Sequence, residues 1–491
     1  MTAPGFLVAG TSSDAGKSLV VTGLCRHLAR QGLSVAPYKA QNMSNNSMVC
    51  RDGGEIGRAQ YLQAQAAGVE ATWAMNPVLL KPGTDRRAHV VSRGHPAGTL
   101  EAGEYATGRA HLARAAFEAY EELAGRYDVV VAEGAGSPAE INLRSGDYVN
   151  MGLARRFGLP VVLVGDIDRG GLLASLVGHH AILDAPDRAL LAGFVVNKFR
   201  GDVDVLIPGL EEVTARTGMR CRGVLPWLPD VWLDGEDALA FGGWSGDAQG
   251  QGVHAGELSS EGRLRVAVVR LPRTSNATDV DPLAAEPGVD VLVTTDPSVC
   301  ATADLLIVPG TRSTFGDLAW LRARGLGDVV AGRVALGRPV LGICGGFQML
   351  AGPIEDGVES PEPSYDGLGL LPLRVRFGEH KILARPQGVW RGAPATGYAI
   401  HHGRPEPTSS TGLGPVDDFP GGLSVGGTYG TMWHGLLEGD AFRRAWLTEV
   451  ATRAGSSYRP RAGALGYADR REAMIERLAD AVGHLDLTGL V

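Results

Sequence analysis

Gly10-Thr11-Ser12-Ser13-Asp14-Ala15-Gly16-Lys17-Ser18 decides the fold of the first half of this chain. A short apolar run, Phe6-Leu7-Val8-Ala9, precedes it, and a helical pattern with Leu19, Val20, Leu24 and Leu28 on one side follows. Strand, glycine-rich loop and helix in that order form a phosphate-binding loop. Amide N–H groups at the helix start point at anionic oxygens, and glycine lets the backbone come close to them. Lys17 is expected to reach terminal phosphates and the Ser18 hydroxyl to hold Mg²⁺. Gly10 stands one residue further from Gly16-Lys17 than the standard spacing, so the loop is a lengthened form. Gly10, Thr11, Asp14, Gly16, Lys17 and Ser18 are its expected nucleotide contacts. A glycine-rich turn with an incidental lysine is the bland alternative, and the flanking strand and helix argue against it.

Working outward, the same alternation continues. Leu33 to Lys39 reads as a second strand. Ligands of α/β sheets sit beyond the carboxyl ends of strands, so Lys39 is expected beside the loop. Gln41 to Ser47 reads as a polar loop, Arg58 to Ala67 as an alanine- and glutamine-rich helix, Asn76 to Pro82 as a strand carrying Lys81, and Ala102 to Leu123 as one helix. Tyr127 to Gly136 is a buried strand whose end carries Glu133, the type of carboxylate that holds Mg²⁺ or its water in phosphate-loop enzymes. Asp14, Asp52 and Glu55 compete as a second ligand, and Glu55 is favoured. Pro160 to Asp166 and Leu190 to Lys198 are two more strands; Asn197 could pair with a purine edge while the Lys198 stem covers the ring. Cys221 to Pro226 is the last. This alternation predicts an α/β fold, a doubly wound parallel sheet over residues 1–234.

A length of 491 residues calls for two or three domains. A net charge of −8 gives no reason to expect nucleic acid. Apolar runs such as Pro160 to Val164 are too short to span a bilayer, so no membrane is expected. Met1 to Leu7 lacks the charged start and apolar core of a secretory signal. Cys25, Cys50, Cys221, Cys300 and Cys344 are odd in number, scattered and without metal-ligand spacing, which favours a reducing, cytoplasmic compartment. Positive charge is carried almost wholly by arginine. The only lysines are Lys17, Lys39, Lys81, Lys198 and Lys381, and a compact ammonium kept in such a chain points to a need that guanidinium does not meet.

Residues 235–262, rich in Gly, Ser, Asp and Gln, read as a linker. Strands resume at Leu264 to Val269, Val289 to Thr294 and Leu305 to Thr311, the last ending in a tight turn, giving a second α/β domain over 263–450, with 451–491 an extension expected to pack on it. Pro339 to Leu350 holds the second chemical stretch, Gly342-Ile343-Cys344-Gly345-Gly346-Phe347-Gln348. A strand running into a Cys among small residues, with a helix directly after, is a nucleophile elbow. The helix start favours thiolate. Backbone N–H groups of Gly345 and of Gly310-Thr311 could form an oxyanion hole. The base candidates are His380, His401, His402 and His434; His434, in Gly430 to Gly435 after a strand-like Val425 to Tyr429, is placed first.

The elbow and the distant His434 resemble a class I glutamine amidotransferase domain, and the amino-terminal half resembles the dethiobiotin synthetase type of phosphate-loop enzyme. Joined in this order, they resemble the cobyrinic/cobyric acid amidating enzymes of cobalamin synthesis. Lys39 to Ser47, Glu133 to Leu143 and Leu271 to Leu283 resemble the branch that completes the amidation. The resemblance implies ATP- and glutamine-dependent amidation of four carboxylates (b, d, e, g) of adenosylcobyrinic acid a,c-diamide, with the a,c-diamide synthase of the same pathway as the alternative. It implies a corrinoid substrate, ATP and Mg²⁺, and Cys344 and His434 as the glutaminase pair. Glutamine would lie against Gly310, Thr311, Gly345 and Gln348; Lys17, Ser18 and Glu133 would position MgATP; Lys39 would act on the transferring phosphoryl group or the carboxylate. Most class I glutaminases carry Glu two residues after the His. Leu436 stands there in this chain, so the resemblance implies a Cys-His dyad.

Overall fold

Strands that are apolar on every residue must be covered on both faces, and the first sheet shows this directly. In the strand Gly5–Gly10, Phe6 and Val8 face one core with Val129, Val131, Val162, Val164 and Val195. Leu7 and Ala9 face the other with Val130, Ala132, Val161, Leu163, Phe194 and Val196. Such a sheet is built from parallel strands joined by helical crossovers. The computed structural model describes residues 5–83, 87–101, 109–229, 231, 262–360, 362–408 and 415–491. It divides into two units, Met1–Ser44 with Cys50–Asp234 and Arg471–Val491, and Asn45–Val49 with Gly235–Arg470. Apart from Gly262, the expected linker lies outside the described residues.

The first unit's main sheet has six strands in the order Cys221–Pro226, Leu191–Phe199, Val161–Asp166, Gly5–Gly10, Val129–Glu133 and Val35–Tyr38, all parallel. The chain begins in the middle and reaches strands on both sides, so Gly10 lies at the switch in strand order, where ligands of doubly wound sheets sit. Helix Lys17–Arg30 buries Val20, Val21, Leu24, Cys25 and Leu28.

Three differences from the sequence reading have physical causes. Gln41 to Ser47 is not a loop. Gln41–Met43 and Ser47–Val49 are strands, the first joining Val78–Pro82, Arg87–Ser92 and His95–Glu101 in a second, four-stranded sheet. Buried polar side chains, not apolar alternation, hold the Gln41–Met43 strand, so periodicity gave no sign of it. The helix expected over Ala102 to Leu123 is described from Ala110 to Ala124, and 102–108 lie outside the described residues. The extension does not stay with the second unit: residues 471–491 belong to the first. There Met474, Ile475, Val482 and Leu490 cover the Phe6/Val8 face, while Arg26 pairs with Glu476 and Arg30 with Asp480.

The second unit's main sheet has seven strands in the order Val289–Thr294, Leu264–Val269, Leu305–Val308, Val340–Ile343, Thr428–Thr431, Gly422–Val425 and Val416–Phe419. The first five are parallel and the last two run as antiparallel neighbours. Val425 to Tyr429 is therefore not one strand. Gly426, at φ +56°, turns a hairpin there. The five cysteines are all free thiols, and among the described residues no helix is long and apolar enough to cross a membrane.

Ile475 is fully buried against the first sheet. Ile475→Ala is expected to cost about 2–5 kcal/mol of the first unit's stability, read by urea unfolding; a loss below about 0.5 kcal/mol would mean that this segment is not part of that core.

Candidate active sites

Five strand ends of the first unit carry the side chains expected to do chemistry. Gly10 opens the loop, and Gly16 sits at φ +95° with its Cα against Asn197, where a Cβ would lie 2.0 Å from Nδ2. Any side chain at Gly16 meets both barriers. Lys17 bends back over the loop and donates to Ser12 O at 3.0 Å and Gly136 O at 3.2 Å. Glu133 is the centre of the site. Its Oε1 accepts from Ser18 Oγ and from Lys39 Nζ, each at 2.8 Å, and its Oε2 accepts from Gln63 Nε2 at 2.6 Å. Lys39, Gln63 and Glu133 are buried. A carboxylate there survives out of water because a cation and two neutral donors meet it.

Gln63 was not among the expected residues. The Arg58–Ala67 helix was legible, but which of its glutamines meets Glu133 depends on how the helix is docked. Of the carboxylates weighed as a second metal ligand, Glu55 is ion-paired with Lys81, both buried. Asp52 accepts from the backbone N–H of Gly54 at 2.9 Å and of Trp73 at 3.2 Å. Asp14 is exposed, at φ +58°. The two residues expected to read a base are bonded to the phosphate loop itself. Asn197 Nδ2 donates to Ala15 O at 3.0 Å, and Lys198 Nζ donates to Asp14 O at 3.1 Å and to Asp166 Oδ2 at 2.7 Å.

In the second unit Cys344 ends the strand Val340–Ile343 and caps the helix Gly345–Leu350, with φ +49° and ψ −108°. This is the strained turn of an elbow, and small neighbours make it possible. A Cβ on Gly346 would lie 2.0 Å from Val308 O, on Gly342 2.7 Å from Phe347 Cα, and on Gly345 2.6 Å from Thr311 Cγ2. The Gly310-Thr311 turn is thereby pressed against the residue that follows the thiol. Gln348 is buried and accepts from Thr314 Oγ1 at 3.0 Å.

The Cys344 side chain is near enough to His434 to act on its charge, and the His434 backbone is pinned on both sides by Tyr398, at 2.9 and 2.8 Å. Its Nδ1–H donates to Asp279 Oδ2 at 2.7 Å, and Asp279 Oδ1 accepts the Gly435 N–H at 2.7 Å. Thiol, imidazole and carboxylate thus form a chain, the arrangement that moves a proton away from a nucleophile and holds the imidazole in one tautomer. Beside the implied pair stands a carboxylate that the resemblance did not supply, 155 residues before the histidine. Burial opposes charge on His434. The Asp279 carboxylate and Cys344, through charge and hydrogen bonds, outweigh burial and raise the ring to about 10. His401 and His402 are engaged elsewhere, and His380 is exposed. His401 Nδ1–H donates to Gly403 O at 2.7 Å, with burial pushing the ring down to about 4, and His402 Nδ1–H donates to Gly378 O at 3.0 Å.

Comparison with known proteins agrees with this division. Residues 6–239 match the family described as CobQ/CobB/MinD/ParA nucleotide binding domain, and residues 265–442 the family described as CobB/CobQ-like glutamine amidotransferase domain. The protein is therefore a nucleotide-binding domain fused to a glutamine amidotransferase domain. Over nearly its whole length it is similar to cobyric acid synthase of Cutibacterium acnes, at 62% identity covering 98% of both chains. It is also similar to the enzymes of that name from Mycolicibacterium gilvum, at 56%, and Mycobacterium tuberculosis H37Ra, at 54%, each match covering 99% of this chain and 96% of the relative. The chain belongs to the cobyric acid synthase family.

Asp279→Asn removes the charge that raises His434, so the ring should lose its proton at a lower pH. Histidine-selective NMR titration reads this, and an unchanged value would rule out the pairing. Because the folded value exceeds the ordinary 6.5, the stabilising contribution is full below pH 6.5 and is lost as pH rises through about 10. The wild type's stability advantage over Asp279→Asn should narrow across that interval.

Proposed function

We propose that this protein amidates carboxylates of a corrinoid with ammonia drawn from glutamine, at the expense of ATP. The substrate is adenosylcobyrinic acid a,c-diamide and the four positions are b, d, e and g. The observation that carries the reading is the Cys344–His434–Asp279 chain at an elbow, in a polypeptide that also carries the Glu133-centred phosphate-loop site. Cys344 attacks the side-chain amide carbon of glutamine. His434, whose ring already holds the proton that the thiol gives up, delivers it to the departing nitrogen, so that the C–N bond breaks, ammonia leaves and a thioester remains. Water activated by the same imidazole then cleaves the thioester to glutamate. Asp279 holds the ring's tautomer throughout. The N–H groups of Gly345 and of the Gly310-Thr311 turn would receive the developing oxyanion, and Gln348 would lie against the glutamine.

In the nucleotide-binding domain, Lys17 reaches the terminal phosphates once ATP displaces its contacts with Ser12 and Gly136. Lys39 faces the transferring phosphoryl group, and the corrinoid carboxylate accepts it as an acyl phosphate that ammonia then opens. Ser18 and Glu133 would hold Mg²⁺, which supplies charge neutralisation on the phosphates. Their oxygens, 2.8 Å apart, fit that role, since adjacent ligands of an octahedron with bonds of 2.0–2.1 Å are about 2.9 Å apart. Among the described residues no group of three His, Cys, Asp or Glu side chains could hold a metal, so the remaining ligands would be phosphate oxygens and water.

Mass spectrometry of adenosylcobyrinic acid a,c-diamide incubated with protein, MgATP and glutamine tests the whole reading. Stepwise conversion of four carboxylates is expected. Turnover of cobyrinic acid alone would move the protein to the earlier amidation. Cys344→Ala should lose glutamine-dependent product by at least about 10³-fold yet keep product formation from ammonium salts. Loss of both would mean that Cys344 also supports the synthetase site. Lys17→Ala should abolish ATP hydrolysis and amidation with an unchanged circular dichroism spectrum; retained ATP turnover would overturn the phosphate-loop assignment.

A further inference from the structure

Two asparagine-bearing stretches that the mechanism leaves unused meet inside the second unit. The chain leaves the first unit at Ser44, gives Asn45–Val49 to the second, and returns at Cys50. Within the second unit these residues interlock with the segment around Asn276. Ser47 N–H donates to Asn276 Oδ1 at 2.9 Å, Ala277 N–H donates to Asn46 Oδ1 at 3.0 Å, and Asn276 N–H donates to Asn45 O at 3.4 Å. The side chains of Asn46 and Asn276 thus each satisfy a backbone N–H of the opposite segment. Asn46, Ser47 and Asn276 are all buried. Asn276 takes the left-handed conformation, φ +49° and ψ +48°, which among residues with a side chain asparagine tolerates best.

The clamped segment is the one that organises the glutaminase. Asn276 O accepts the Asp279 N–H at 3.0 Å, closing the short 3₁₀ turn Ala277–Val280 from which Asp279 reaches His434. On its other side Ser275 N–H donates to Gly310 O at 2.8 Å, and Arg273 O accepts from Thr311 Oγ1 at 3.1 Å. One stretch, Arg273 to Asp279, therefore sets the imidazole through Asp279 and touches the turn beside Cys344 through Ser275 and Arg273. It is held in register by residues that directly follow, in the chain, the strand and loop carrying Lys39.

We propose that Asn46 and Asn276 are positioning residues of the glutaminase: by clamping Arg273–Asp279 they hold Asp279 against His434, so that a segment continuous with the synthetase loop completes the glutamine site. This rests on the glutaminase reading of Cys344 and His434.

The test uses the full-length protein with Asn46→Ala, Asn46→Asp and Asn276→Gly. Asp at 46 keeps the acceptor for Ala277, and Gly at 276 keeps the left-handed turn while losing the side-chain acceptor. Asn46→Ala and Asn276→Gly should lower glutaminase kcat at least tenfold with KM for glutamine within threefold. The pH at which activity titrates should move in the direction of Asp279→Asn, and amidation driven by ammonium salts should stay within twofold of wild type. Asn46→Asp should recover most of the kcat. Glutaminase within twofold of wild type in both Asn46→Ala and Asn276→Gly would overturn the inference. So would a parallel fall of glutamine- and ammonium-driven amidation with an unmoved pH profile, which marks a merely structural role. If the wild type itself releases no ammonia from glutamine, the Cys344 reading fails first and takes this inference with it, an outcome visible without any asparagine variant.

Discussion

Covering both faces of a parallel sheet leaves the carboxyl ends of its strands as the ground on which polar groups can gather, and the chemistry of both units obeys that constraint. In the first, Gly10, Glu133, Asp166 and Asn197 all stand at or near strand ends, with Lys39 one residue past Tyr38. In the second, Val308, Ile343 and Thr431 end three neighbouring strands, and Gly310-Thr311, Cys344 and His434 follow them within three residues. Neither set is clustered in sequence. Parallel register gathers each, because strands that start together also end together.

At both places the gathered groups are charged and buried, a combination tolerated only with internal partners. Glu133 has Lys39, Ser18 and Gln63; His434 has Asp279, Cys344 and the backbone of Tyr398. Removing one partner strands another, so these positions behave as units and not as sums of pairs. The scarcity of lysine fits this setting. Lys17, Lys39 and Lys81 are buried, and each places a single compact cation against an oxygen where a planar guanidinium would need room for its fork.

Much of this was legible in the chain because it is written locally. A glycine loop between strand and helix, a Cys in Gly-Ile-Cys-Gly-Gly, and acids at the ends of apolar runs are short-range signals. What was hidden is held by distance. Gln63 meets Glu133 across 70 residues, Asp279 meets His434 across 155, and the extension's helix covers a strand that begins at Gly5. Of the sheet built on Gln41–Met43, only the run Asn76 to Pro82 was read as a strand; the other strands are partly polar or partly exposed, so the period-2 signal was absent.

Position 436 bears an apolar side chain, and the acid bonded to His434 comes from elsewhere in the chain. Leu436 and Leu437 lie in the apolar core of the second unit, in a 3₁₀ turn that begins after Gly435 at φ +66°. A carboxylate at 436 would be buried among apolar side chains unless the turn presented it to His434. In this chain that turn gives its Gly435 N–H to Asp279 instead. The acid that orients the imidazole also caps the backbone next to it, one oxygen for each task. With the acid supplied from Ala277–Val280, Leu436 packs in the apolar core.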